Sequence, residues 1–273
     1  MPVSLDEIVS ATRRRVGETK PAADLRQLER EAGNHVPRGF RRGLESRCAN
    51  GIAVIAELKP ASPSRGLIRS DFDPEKLAKE LDSAGAAALS VLTEPEFFQG
   101  SLENLRFASA NTKLPCLRKD FIVDEFQLLE ARANGADAIL LIVAALSQTE
   151  LKMLARRATD YSLDVLCEVH DKDELRRAVD AGCNLIGVNN RDLKTFQVDL
   201  GTSLRLADFI PKNALPVAES GIHSGADIAR LRAAGYRAFL IGESLMKAKS
   251  PGEALIAILS DANQKMSLDL TAN

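Results

Sequence analysis

Four times along the chain a glycine suited to ending a helix is followed at once by a short apolar run: AGAAALSVL from Ala84, NGADAILLIV from Asn134, AGCNLIGV from Ala181 and AGYRAFLIG from Ala234. Gly85, Gly135, Gly182 and Gly235 fit the left-handed position that closes a helix. Between them fall runs with a different lead-in, IAVIAELK from Ile52, LPCLRK from Leu114, LDVLCE from Leu163 and LPVAES from Leu215. The two interleaved sets, each repeating about every 50 residues, make eight strands at the ~20 to 35 residue spacing that one strand plus one helix requires. The runs are short and continuously apolar, as expected of strands covered on both faces.

Helix starts are marked as clearly. Ser147 with Glu150, Asp171 with Glu174, Ser224 with Asp227 and Ser250 with Glu253 form capping boxes or their Asp variant, and Asp73 precedes Pro74. Apolar residues then recur at helical spacing, as at Phe126, Leu129 and Ala133. Eight alternating units favour a closed α/β (β/α)8 TIM barrel over an open doubly wound sheet, whose GxGxxG after the first strand is missing. The expected organisation is an N-terminal helical extension over 1–47, with helices at 5–17 and 22–32 packed on one end of the barrel. The barrel follows over 48–265, and 266–273 is expected to be a disordered tail.

Within that frame the strand ends stand out. Glu57 and Lys59 lie two positions apart and so share a face of the first strand, pointing inward together. Arg118 and Lys119 end the third strand, Glu168 the fifth and Glu219 the seventh, giving the odd strands a ring of alternating charge. The even strands end in Thr93-Glu94, Val143, Asn189-Asn190-Arg191 and Gly242-Glu243. In such barrels the chemistry sits at the C-terminal strand ends. The alternative is a structural ion-pair network, since buried charges are costly unless paired. A lysine beside another cation has its pKa lowered, so Lys119 is expected to give a proton and Glu168 to take one. Loops after strands seven and eight, ESGIHSGAD and IGESLMKA, place Gly221 and Gly242 where backbone could approach a phosphate.

Charge excludes some partners. With 36 basic against 38 acidic residues and a net charge of -2, neither nucleic acid nor a membrane surface is expected to bind by bulk charge. The basic runs at 13–15 and 41–42 read as solvated helical faces. No apolar run approaches the ~18 residues of a membrane span, the N-terminus lacks the apolar centre of a secretory signal, and a cytoplasmic location is expected. Cys48, Cys116, Cys167 and Cys183 are scattered and read as small buried hydrophobes. His35, His170 and His223 lack ligand spacing and read as surface residues, so no metal site is expected.

The strand-end blocks IAELKPASPSRG, SVLTEPEFFQGS, LRKDFIVDEFQ, GADAILLIV, CEV, GVNNRDL, VAESGI and FLIGESLM closely resemble the indole-3-glycerol-phosphate synthase family, from about residue 38 to 262. The first 37 residues match only in helical character. One departure is Pro60, where the family more often has a basic residue. The resemblance implies a cofactor-free lyase of tryptophan biosynthesis. It would close the ring of 1-(o-carboxyphenylamino)-1-deoxyribulose 5-phosphate, a phosphorylated small molecule, with loss of CO2 and water. It further implies Lys119 as general acid, Lys59 against the anthranilate carboxylate, Glu168 as acid and base in dehydration with Lys59 as a second contributor there, and Glu57, Asn189 and Glu219 as orienting groups. Arg191, Ser220, Gly221, Gly242 and Glu243 would hold substrate and phosphate. Ser62 matches the SPS loop, and Phe98, Phe121 and Leu140 would wall the aromatic ring. A different phosphate-binding barrel enzyme, such as phosphoribosylanthranilate isomerase, would need its own acid/base pair, typically a cysteine after strand one, and this chain has Lys59 in that region. A barrel kept only as a scaffold would bind without turnover. A monomer is expected, with a weak dimer as the alternative.

Overall fold

In the computed structural model, residues 3–193 and 195–271 are described, with side chains through Lys265. The barrel strands are β1 (Ala53–Leu58), β2 (Ala88–Leu92), β3 (Cys116–Lys119), β4 (Ala138–Ile142), β5 (Asp164–Val169), β6 (Leu185–Asn189), β7 (Leu215–Glu219) and β8 (Ala238–Ile241). Each pairs in parallel with its neighbours in sequence, and β8 closes on β1 with Ala53 opposite Ala238 and Ala56 opposite Ile241. The eight strands are those the repeat predicts. The four repeat glycines have φ between 82° and 102°, the left-handed closure that keeps each helix-to-strand turn short.

Alternation along each strand sorts its residues into two apolar layers. Val54, Ala56 and Leu58 face the surrounding helices, and Ala53 and Ile55 join Leu117, Leu140, Leu166, Val217 and Leu240 inside the barrel. The inward register of β1 therefore runs 53, 55, 57, and Glu57 follows the barrel filling to its C-terminal end. By the same count Lys119, Glu168 and Glu219 are inward, while Arg118 is outward. The caps at Ser147 and Ser224 are reciprocal, as expected. Asp171 caps its helix, but Glu174 reaches past it to the His170 N–H at 2.8 Å.

The N-terminal extension has three helices, not two: α1 (Leu5–Ala22), α2 (Leu25–Asn34) and α3 (Phe40–Asn50). The third is hidden in sequence by its polar run RRGLESR, yet Phe40, Leu44 and Cys48 keep an i, i+4, i+8 stripe. Phe40 and Leu44 are fully buried against the barrel's inward layer, so α3 plugs the N-terminal mouth. α1 instead lies across the C-terminal rim. Arg13 and Arg14 are exposed, as a solvated face requires, and pair at the surface with Glu150 at 2.8 Å and Glu96 at 3.6 Å, whereas Arg15 turns in to the buried Glu94 at 3.1 Å. The extension thus reaches both ends of the barrel, with α2 packed along the helix Phe126–Ala133 between them. The last helix, Pro251–Thr271, runs through most of the expected tail, and residues 272 and 273 lie outside the described residues.

One buried ion pair ties this extension to the sheet. The Asp137 carboxylate accepts from the Arg38 backbone N–H (2.7 Å), Arg38 Nε (2.8 Å), the Cys116 N–H (2.8 Å) and His35 Nε2 (3.1 Å). Burial raises the Asp137 carboxyl, but His35 and Arg38 outweigh it and hold the group below the usual range. Its contribution to stability is therefore present above the ordinary carboxylate pKa and lost as pH falls through the lowered one. Removing Arg38 leaves a buried carboxylate with its main countercharge gone. Arg38→Ala is expected to cost about 3–5 kcal/mol in urea unfolding at pH 7. A loss under ~1 kcal/mol, the scale of an exposed pair, would show the pair to be dispensable.

Candidate active site

At the C-terminal ends of the strands, all fifteen residues that the family resemblance implies line one cavity of about 260 Å3. Lys119 Nζ sits between two carboxylates, 2.8 Å from Glu168 Oε2 and 3.2 Å from Glu219 Oε2. Lys59 Nζ is 2.5 Å from Glu57 Oε1. The charged ring of the odd strands is thus two ammonium groups threaded among three carboxylates, all largely withdrawn from water.

Arg118 does not belong to this ring. It points out between sheet and helices, where it holds Asp120 at 2.9 Å, Glu130 at 3.3 Å and the Gln127 carbonyl at 2.7 Å. Glu94 is likewise engaged elsewhere, capping the short helix Pro95–Phe98 through the N–H groups of Glu96, Phe97 and Phe98. Asn190 is structural, donating to the Glu219 carbonyl and accepting from Ser203.

Electrostatics within the ring depart from the expected sign at one position. Burial alone would lower the Lys119 ammonium, but Glu168, Glu219 and Glu57 surround it and hold it above an ordinary lysine. The second lysine does not depress it, because Lys59 is already matched by Glu57. Burial raises Glu168, yet Lys119 and His170 bring it net below the usual carboxylate range, so it stays ionised. Glu219 goes the other way: burial, with the charges of Glu168 and Glu57, outweighs Lys119 and pushes its carboxyl up to about 7. Its Oε1 is buried without a hydrogen-bond partner. A Cβ at Gly187 would lie 2.0 Å from that oxygen, so only glycine on β6 leaves room for Glu219.

The opposite side of the cavity is built from backbone and arginine. Ser220 and Gly221 adopt consecutive left-handed conformations, φ 65° and 77°, strain that concentrates at functional sites when a non-glycine residue bears it. The helix Glu243–Lys247 that follows Gly242 has no side-chain cap, leaving its first N–H groups available. Gly242 itself is needed for another reason than expected: a Cβ there would meet Glu57 Oε1 at 2.3 Å. Glu243 gathers Arg65 at 3.1 Å and Arg191 at 3.5 Å beside this turn. Phe98 and Phe121, with ring centroids 6.1 Å apart, and Leu140 provide an apolar wall. Asn189 lines the cavity, and its Oδ1 accepts the Arg191 N–H at 3.0 Å.

Sequence reading missed several lining residues. Val3, Leu5 and Ile8 come from the start of α1, where the Ser4–Glu7 capping box was the available signal. Arg65 belongs to the first loop, in which Ala61–Ser62 pairs with Gly66–Leu67 and the Pro60 carbonyl accepts the N–H groups of Ile68 and Arg69. Pro60 therefore anchors the loop at its base. The histidines are not uniformly superficial either, since only His223 is exposed. Three of the four cysteines are buried and Cys183 is half-buried. Among the described residues no group of three or more His, Cys, Asp or Glu is arranged to hold a metal ion. No described helix is long and apolar enough to cross a membrane.

Comparison with known proteins agrees with this geometry. The sequence profile described as Indole-3-glycerol phosphate synthase matches residues 5–258, so it takes in the N-terminal extension that the strand-end motifs alone leave out. An indole-3-glycerol phosphate synthase of Koribacter versatilis is 62% identical over 255 residues, 93% of this chain and 98% of that one. That of Chlorobium luteolum is 49% identical over 246 residues, 90% and 94% of the two chains. Among solved structures, a mandelate oxidase superposes with a TM-score of 0.62 over 88% of this chain and 94% of that one at 15% identity, a likeness of fold alone. By the extent of the profile match and the identity to its members, the chain belongs to the indole-3-glycerol phosphate synthase family.

Proposed function

We propose that the cavity closes the indole ring of 1-(o-carboxyphenylamino)-1-deoxyribulose 5-phosphate, with Lys119 as the proton donor. The observation that carries this reading is Lys119 held between Glu168 and Glu219 at the barrel's mouth. An ammonium so surrounded is always loaded with a proton, and an alkoxide developing on the ribulose carbonyl is a stronger base than any amine. Transfer therefore becomes favourable as the aromatic carbon attacks. Lys59 neutralises the anthranilate carboxylate, and Glu57 fixes where Lys59 stands. After CO2 leaves and the benzene ring is aromatic again, the ionised Glu168 takes a proton from the new ring's carbon and gives it to the departing hydroxyl, completing the indole. Phe98, Phe121 and Leu140 hold the anthranilate face. Ser220, Gly221, Gly242 and the N–H groups around Glu243, with Arg191, hold the phosphate end, and Ser62, Asn189 and Glu219 bind sugar hydroxyls.

The test is direct, because the chain contains no tryptophan and indole emission from product rises over a nearly dark protein. Purified protein incubated with this substrate is expected to give emission growing in proportion to enzyme, and its absence would overturn the reading. Removing residues 1–23 deletes α1 and its cavity-lining residues while keeping Arg38. KM is expected to rise about tenfold, worth ~1.4 kcal/mol, with the melting temperature nearly unchanged. Equal losses in binding and stability would count against α1 as a cover over bound substrate.

The same reading makes the protein a cytoplasmic monomer, supported by exposed large apolar residues spread along the chain from Leu25 to Ile256. Light scattering across concentration checks the monomer.

A further inference from the structure

The ring closure consumes one proton. The aromatic carboxylate leaves as CO2 and the carbonyl oxygen leaves as water, so each turnover takes one H+ from solution. Lys119 gives one proton to the carbonyl oxygen. Glu168, ionised at rest, takes one from carbon and gives it to the departing hydroxyl. The proton that is not returned is the one lost by Lys119, whose nearest carboxylate is Glu168 at 2.8 Å.

Behind Glu168, outside the cavity lining, stands His170. Its Nδ1 is 3.0 Å from Glu174 Oε2, the same oxygen that accepts the His170 backbone N–H. A carboxylate can only accept, so Nδ1 is a donor and the ring's exchangeable position is Nε2. Nε2 is buried, has no hydrogen-bond partner and faces Glu168 Oε1 at 3.6 Å. With Nδ1 fixed, Nε2 and Oε1 have room for one proton between them, carried either by the imidazolium or by the carboxylic acid. Facing this ring are Glu168 from β5, Glu174 from the next helix and Glu219 from β7, with the Lys119 ammonium of β3 on the far oxygen of Glu168. Three acidic groups favour a protonated ring against its burial.

We propose that His170 stores and delivers the proton that restores Lys119, passing it from Nε2 to Glu168 Oε1 and so to Lys119 from Oε2, with Glu174 holding Nδ1–H so that Nε2 alone exchanges. In this step the Nε2–H bond breaks as an Oε1–H bond forms and the ring becomes neutral, keeping its Nδ1–H on Glu174; once product has left the cavity a solvent proton returns through Glu168 and re-forms the Nε2–H bond. His170 touches no substrate and is a positioning residue for a proton. The inference rests on the acid and base role given to Glu168.

In His170→Gln, kcat is expected to fall about a hundredfold, the low end of proton-transfer contributions, with KM within twofold. The solvent deuterium effect on kcat should grow as proton delivery becomes limiting. In His170→Ala, added imidazole should restore kcat in a pH-dependent way, and Glu174→Gln should reduce kcat in the same direction. A kcat within twofold of the original in His170→Gln overturns the proposal. So does a loss that imidazole does not restore, or, should the alanine variant fail to fold, an unaltered Glu174→Gln. Glu168→Gln separates the two readings: full activity there removes the role of Glu168 itself, whereas an inactive Glu168→Gln beside a normal His170→Gln removes only the relay.

Discussion

Lys119→Ala abolishes turnover in the expected result, with kcat down by about 10^4 and substrate affinity within a few-fold, because a proton donor and its charge act chiefly in the transition state. Single-turnover indole emission against substrate concentration gives both quantities. Near-normal turnover would remove Lys119 as the acid. The substitution also strips the shared cation from Glu168 and Glu219, which stand within hydrogen-bond reach of it at 2.8 and 3.2 Å. Glu219, already raised to about 7, must then rise further. A carboxyl raised by folding contributes stability while protonated and loses it as pH climbs through the folded value. The variant should therefore lose more melting temperature than the parent between pH 6 and pH 8. If both melt in parallel over that window, Lys119 is not what balances the pair.

Glu168→Gln should produce the second large effect and a different one. The amide keeps the shape, leaves Lys119 bonded to Glu219 at 3.2 Å and removes the main group assigned to dehydration. Indole formation is expected to fall by about 10^2 to 10^4, the range of a general acid or base, with the fold intact. Carbon dioxide should still be released in a near-stoichiometric burst, since condensation and decarboxylation rely on Lys119 and Lys59. Lys119→Ala should release neither product. Substrate labelled in its carboxylate distinguishes the two variants in one experiment. Parallel loss of CO2 and indole in Glu168→Gln would place Glu168 in ring closure instead, and an unfolded variant would mark it as part of a structural ion-pair network.

The barrel was legible because its grammar is local. A closing glycine, an apolar run and a capping residue each act within a few positions, and the inward pairing of Glu57 with Lys59 follows from strand alternation alone. Arg118 was misplaced although the same rule covers it, since Leu117 is inward and its neighbour must face out. The sign at Lys119 was not legible in that way. Its partner Glu219 lies 100 residues along the chain, and only closure of the strands says which charges meet. α3 escaped notice because its apolar stripe is three residues wide in a basic stretch, and the α1 residues at the cavity depend on where a long helix docks.

The extension that reaches both mouths sets an order of events during synthesis. Phe40 and Leu44 leave the ribosome before any stave exists to receive them, and the socket they fill is complete only when the eighth stave meets the first, nearly two hundred residues later. A segment made ahead of the whole barrel thus waits for its seat, and for that interval its greasy stripe has no partner surface within the domain.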